Sequence, residues 1–235
     1  MIKNILFDLD GTLWPVDMRV FLNTYMGYLA DAMTIYGFDK KGLIDSVWKG
    51  TYAMVGNDGS MTNEERFWEV FFKIYPDIDR KMTDKFIDFY RSDFDKVKTI
   101  AEPYAGMREW FDLLKDKGYR LVLASNPFFP SIATEKRVKW SGLDKDDFEY
   151  ITTYENSSYC KPNLDYYREL LNKLNMDPCE SLMIGNDVDE DMIAEELGMR
   201  VFLLTGNILN PHNKDISKYP QGGFEELKKF VEECA

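Results

Sequence analysis

Apolar residues follow two rhythms along the chain, and the change between them divides it. Residues 2–7 form a short apolar run ending in Asp-Leu-Asp-Gly-Thr, the pattern of a buried strand stopped by a turn. From about 15 to 102 the spacing is helical. Leu22, Met26, Leu29, Ala30 and Met33 share one helix face that ends near Gly37. Leu43 and Val47 suggest a second helix, running into a glycine-punctuated loop from Gly50 to Gly59. Thr62-Asn63-Glu64-Glu65 is a capping-box pattern ahead of Phe67, Val70, Phe71 and Ile74. Phe86, Tyr90 and Phe94 give one more amphipathic face.

After Glu102-Pro103, strands and helices alternate. Trp110, Leu113 and Leu114 mark a helix ending at Gly118, and Tyr167, Leu170, Leu171 and Leu174 mark another. Short apolar runs at 121–124, 150–153, 181–184 and 201–204 read as strands, the second of them weaker. Strands interleaved with helices of this length predict an α/β fold, a doubly wound parallel sheet with helices on both faces. The first strand has no partner unless it joins that sheet. The helical stretch is then an insertion placed just after strand one.

Composition narrows the chemistry. The chain has 235 residues, 45% of them hydrophobic and 15% aromatic, enough for a substantial core. Lys+Arg 29 against Asp+Glu 41 gives a net charge of -12, which repels nucleic acid and anionic membranes. An anionic small substrate then requires a local cluster of donors or a metal cation. No apolar run approaches the ~20 residues of a membrane helix, and the N-terminus lacks a signal-peptide pattern. Cys160, Cys179 and Cys234 are widely spaced with no CxxC, so a disulfide scaffold is not expected and a reducing cytoplasm is. His212 is the one histidine and no GxSxG surrounds any serine, which leaves the acids to carry any catalysis.

In an open parallel sheet, ligands bind beyond the carboxyl ends of the strands. Those ends carry Asp8 and Asp10, then Ser125 and Asn126, then Lys161-Pro162, then Asn186, Asp187, Asp189, Glu190 and Asp191. Strand alternation puts Asp8 and Asp10 on one side. Crowded carboxylates repel unless a cation sits among them, and a hard divalent ion such as Mg²⁺, with few carboxylates and several waters, resolves the conflict. Taken singly, Asp8 and Asp10 read as turn or cap residues, Ser125-Asn126 as a turn before Pro127, Lys161 as a solvated lysine and 186–191 as an acidic helix start. Convergence at one sheet edge favours the site.

Phe7-Asp8-Leu9-Asp10-Gly11-Thr12-Leu13 resembles the first motif of the haloacid dehalogenase (HAD) superfamily. Ala124-Ser125-Asn126 resembles the second, Lys161-Pro162 the third, and Gly185-Asn186-Asp187 through Asp191 the fourth. They occur in the family's order across 1–14 and 103–235. The resemblance implies a Rossmann-like core over those ranges, with residues 15–102 as a helical cap of the C1 type. It implies a cytoplasmic, Mg²⁺-dependent phosphatase acting on a small phosphorylated metabolite. Asp8 would be the nucleophile and Asp10 the general acid and then base. Ser125 and the Asn126 backbone would hold the phosphoryl group, and Lys161 would neutralise charge. Mg²⁺ would be held by Asp8, the Asp10 carbonyl, Asp187 and Asp191.

An acid at Asp10 favours phosphoryl transfer over dehalogenation, which needs no proton on a leaving oxygen. In the fourth motif the acid usually follows the glycine directly, whereas Asn186 stands there in this chain, leaving Asp189, Glu190 and Asp191 to compete for the second acidic slot. A phosphomutase, a phosphonatase with a cap lysine, and a silent binding protein remain alternative readings. Specificity candidates are Trp14-Pro15 and the 50–59 loop, while Phe67, Phe71, Phe86 and Tyr90 read as cap core. Cap movement about 14–16 and 99–103 is expected from topology.

Overall fold

The computed structural model describes residues 1–233, so Cys234 lies outside the described residues. Six parallel strands form one sheet: β1 (Asn4–Phe7), β2 (Arg120–Leu123), β3 (Tyr150–Ile151), β4 (Ser181–Gly185), β5 (Arg200–Leu204) and β6 (Gln221–Gly222), in the order β3-β2-β1-β4-β5-β6. The partnerless first strand is central, as its full burial requires. Phe7 is level with Leu123 of β2 and Ile184 of β4, so three strands end together beside Asp8. Strand order reverses at β1, and the crevice at such a reversal is where ligands bind in this class of sheet.

Alternation along the strands sorts the core into two layers. Ile5, Phe7, Leu121, Leu123 and Ile184 face one side, where α5 (Met107–Asp116) and α8 (Phe224–Glu233) cover them through Trp110, Phe111, Leu227 and Val231. Leu6, Val122, Met183 and Val201 face the other, under Tyr166, Tyr167 and Leu170 of α7 (Leu164–Leu174). This is the doubly wound arrangement expected from the strand–helix alternation. Among the described residues no helix is long and apolar enough to cross a membrane.

Every regular element between Met18 and Ile100 is helical: α1 (Met18–Met33), α2 (Lys40–Val55), α3 (Asn63–Ile74), α4 (Met82–Arg91) and a 3-10 stretch, Asp93–Ile100. The capping box is formed, with Thr62 N–H donating to Glu65 at 2.8 Å and Glu65 N–H donating to the Thr62 hydroxyl at 3.2 Å. Two boundaries differ from the sequence reading. Helix α2 runs through Gly50, because a Cβ there would lie 2.5 Å from the Phe67 ring, and its absence lets α2 and α3 close together. Phe94 lies beyond α4, in the 3-10 stretch, yet is fully buried.

The sequence analysis did not single out β6, α8 or α6 (Ser131–Trp140), although Leu227, Phe230 and Val231 give α8 a helical period. In α6 the buried face includes Thr134 and Arg137, so polarity masks the helical period.

The helical segment is tied to the sheet at more than its two chain connections. Asn63 N–H donates to the Ser157 carbonyl at 2.9 Å and Glu64 N–H to that of Tyr154 at 2.8 Å. Trp14, offered by the sequence as a specificity candidate, is fully buried with its ring 5.3 Å from Trp140 and 5.6 Å from Phe21. It is a packing residue. A hinge at 14–16 would have to carry this aromatic stack with it.

Away from the sheet edge, Asp147 shows how the chain secures a buried acid. Burial raises its pKa, but donors from Arg108 (2.9 Å), Lys115 (2.8 Å) and Asp144 N–H (2.8 Å) outweigh that and hold it at about 2. A depressed carboxylate stabilises the fold above its unfolded pKa near ~3.9, and the contribution is lost as pH falls toward the folded value. Arg108 and Lys115 stand partly in water, which screens the effect to about 1 kcal/mol. Asp147→Asn is expected to lower stability by that amount in urea unfolding at pH 7, with the difference shrinking steadily below pH ~4.

Candidate active site

Four stretches reach one cleft at the carboxyl edge. Asp8, Asp10, Ser125, Asn126, Asn186, Asp187 and Glu190 line it, with Met18, Phe128, Phe129 and Leu209 as its apolar walls. The sheet register dictates this meeting. Asp8 N–H donates to the Ile184 carbonyl (2.9 Å) and Ala124 N–H to the Phe7 carbonyl (2.7 Å), so the ladder continues into the first residues of the site.

Lys161, 1% exposed, connects two of the acids. Its Nζ donates to Asp8 Oδ1 at 2.9 Å and to Asp191 Oδ1 at 2.6 Å. Burial alone would lower the lysine pKa, but Asp191 and Asp8 overcome it and the net shift is well upward, so Lys161 is a fixed cation. Asp191 is completely buried and its second oxygen accepts the Asp187 N–H at 3.0 Å. Both its oxygens are therefore engaged by the protein. Gly185 makes room for it, since a Cβ there would lie 2.0 Å from Asp191 Oδ2.

Asp10 is paired with Arg137, a residue that the sequence analysis did not single out. The Arg137 guanidinium, 1% exposed, bonds Asp10 Oδ2 and lies 4.2 Å from the Phe129 ring centroid. Burial pushes the Asp10 carboxyl up, Arg137 pulls it back, and the neighbouring Asp8 charge adds to the rise, for a net of about 6. Ala133, Arg137 and Trp140 stand at i, i+4 and i+7 on α6, and that spacing is the one signal by which the buried arginine was discoverable.

The departure in the fourth motif has a structural reason. Asn186 is 2% exposed; its Oδ1 accepts the Thr12 hydroxyl (2.9 Å) and its Nδ2 donates to the Asn207 carbonyl (2.7 Å). It latches the turn after β1 to the loop after β5. An aspartate could not supply the second of these bonds. Asp187 Oδ1 accepts the N–H groups of Asp189 and Glu190, and burial raises its pKa. Asp189 turns away to His212 and Lys214. Glu190 enters the cleft, where burial pushes it up to about 8 and Asn126 Nδ2 donates to it at 2.8 Å. The Asn126 side chain also donates to the Lys161 carbonyl, at 3.1 Å.

The donor set suits a hard cation. It consists of oxygens, and Asp10 Oδ1 and Asn126 Oδ1 are buried without a hydrogen-bond partner. Among the described residues no three His, Cys, Asp or Glu side chains are gathered as a ready metal cage. Two carboxylates, Asp8 and Asp187, line the same cleft, and so few acids suit Mg²⁺, which keeps much of its hydration.

Comparison with known proteins identifies the family. Residues 2–207 match the haloacid dehalogenase-like hydrolases. The glyceraldehyde 3-phosphate phosphatase of Methanothermobacter thermautotrophicus is 24% identical over 220 residues, spanning 93% of this chain and 92% of that protein. A 2-haloacid dehalogenase from Pseudomonas syringae pv. Tomato superposes with a TM-score of 0.64 at 18% identity over the full length of both chains. The magnesium-bound HAD-hydrolase YfnB of Bacillus subtilis superposes at 0.57 and 18% identity, covering 98% of this chain and 99% of that one. At such identities the two superpositions speak for the fold alone. With nearly nine-tenths of its length matched to one family, the chain belongs to the haloacid dehalogenase-like hydrolases.

Proposed function

We propose that the protein is a Mg²⁺-dependent phosphatase that hydrolyses a small phosphorylated metabolite through a phosphoryl group carried on Asp8, with residues 15–102 as a cap over the core formed by 1–14 and 103–235. The observation that carries this reading is the Asp8–Lys161–Asp191 chain of contacts beside an Asp10 whose carboxyl sits at about 6. A carboxylate approaching a phosphate dianion meets repulsion, and a buried lysine held between two acids is a fixed charge that offsets it.

In the first step an Asp8 oxygen attacks phosphorus, the bond to the leaving oxygen breaks, and Asp10 gives that oxygen its proton. In the second, Asp10 takes a proton from water as the water oxygen attacks phosphorus, and the bond to Asp8 breaks to release inorganic phosphate. A group near pH 6 can both give and retrieve a proton around neutrality. Ser125 and the Asn126 N–H would hold phosphoryl oxygens, while the Asn126 side chain secures the Lys161 loop. Mg²⁺, held by Asp8, Asp187 and the Asp10 carbonyl, would supply charge neutralisation at the phosphoryl oxygens. Asp191, whose two oxygens are already engaged, would position Lys161 and not bind the ion directly.

Asp10 separates this reading from dehalogenation, a chemistry that the shared fold alone permits. The relative that is a glyceraldehyde 3-phosphate phosphatase supports the same side. Phosphate release across a broad metabolite panel tests it. Turnover of at least one ester is expected, abolished by EDTA and restored by Mg²⁺. Activity unaffected by exhaustive chelation would remove the ion from the mechanism.

A further inference from the structure

Beside the cleft lies a second hollow, of about 120 Å³, between the helical segment and the sheet edge. Tyr25, Trp48, Phe67 and Phe86 are among its walls, and it shares Met18, Phe128 and Phe129 with the cleft that holds Asp8 and Asp10. The two spaces therefore meet across three apolar side chains. No charged residue lines the hollow. Its hydroxyls are largely spent: Tyr25 and Tyr90 bond each other at 2.7 Å, and Thr51 donates to the Val47 carbonyl at 3.0 Å. Burial pushes the Tyr25 phenol up to about 12, in keeping with a dry wall.

The sequence reading placed Phe67, Phe86 and Tyr90 in the core of the helical segment. They are buried, and they also face this hollow. Phe71 alone of that set is core without lining it. Such a wall offers the hydroxyls of a polyol little beyond the Trp68 Nε1–H, which is buried without a hydrogen-bond partner, and a hydroxyl buried without a partner is costly. Apolar cavities of ~150 Å³ take up a benzene ring, so this one matches roughly a ring or a chain of about six carbons.

Resting on the phosphatase reading, we infer that the preferred substrate is a phosphate monoester whose leaving group is an apolar ring or short alkyl chain, seated in the hollow while its phosphate occupies the cleft. Burying each methylene raises kcat/KM about fourfold until the space is full. The inference thus departs from the polar leaving group of the relative described above.

The test is phosphate release by the full chain with Mg²⁺ from ethyl, butyl and hexyl phosphate, phenyl phosphate and glycerol 3-phosphate. The expected result is a kcat/KM that climbs about fourfold per methylene to about six carbons, with phenyl phosphate near the top and glycerol 3-phosphate about a hundredfold below. Thr51→Phe, which fills the hollow, should flatten the climb. Should that variant fail to fold, 1-hexanol must still inhibit the natural protein competitively where glycerol does not. A flat or falling series, or glycerol 3-phosphate ranked above hexyl phosphate, would overturn the inference alone. Absence of phosphate release from all five esters, with turnover elsewhere in the broad metabolite panel, would overturn the inference alone, and a blank across that panel as well would overturn the phosphatase reading with it.

Discussion

Asp8→Asn is expected to slow phosphate release by at least about 10⁴-fold, the scale on which removal of a catalytic nucleophile acts. The loss should fall on kcat, because the proposed phosphate-binding groups, Ser125, Asn126 and Lys161, are left in place. The amide is nearly isosteric with the carboxylate, and Lys161 keeps its 2.6 Å bond to Asp191, so the fold has little reason to weaken. Phosphate release measured beside a melting curve separates the two effects. A variant that melts like the natural protein and retains more than about a hundredth of its turnover would exclude Asp8 as the attacking group.

Lys161→Met is expected to harm both fold and reaction. It leaves Asp8 and the fully buried Asp191 facing each other without a cation, and breaking such a buried network costs about 3–5 kcal/mol. Turnover should fall a further ~10²–10³-fold if Lys161 offsets charge at the reacting phosphoryl group as proposed. The two losses can be parted. Adding Asp191→Asn to Lys161→Met removes one orphaned charge and should restore much of the stability while leaving turnover low. Urea unfolding and phosphate release on the single and double variants supply the comparison. Recovery of turnover in the double variant would mean that Lys161 acts only as a structural tie.

The elements that build the site were legible in the sequence because strand burial and turn chemistry agree there. The apolar runs before Asp8 and Ser125 each stop at a polar residue and that before Gly185 at a glycine followed by Asn186, and the parallel register then forces those ends together. Arg137 was barely legible, with only the spacing of Ala133 and Trp140 around it as a signal. A charged residue on the inner face of α6 breaks the apolar period that would have revealed the helix, and its partner Asp10 is 127 positions away. Asn186 was visible as a departure from the family pattern but not as a latch, since Thr12 and Asn207 become its neighbours only in the folded chain. The role of Asp191 was open for a similar reason: spacing brings the acid to the site, and only the contacts with Lys161 and Asp187 N–H engage both of its oxygens. The reach of α2 through Gly50 depends on the approach of Phe67, a tertiary contact that no local pattern encodes.

The most direct test of the account is to quench the enzyme in acid during steady turnover and map the phosphorylated peptide by mass spectrometry. One phosphoryl group on the peptide bearing Asp8, absent from Asp8→Asn and lost on brief exposure to base, is the result predicted. Steady turnover with no phosphorylated peptide under conditions where acyl phosphates survive, or with the group on another residue, would contradict it.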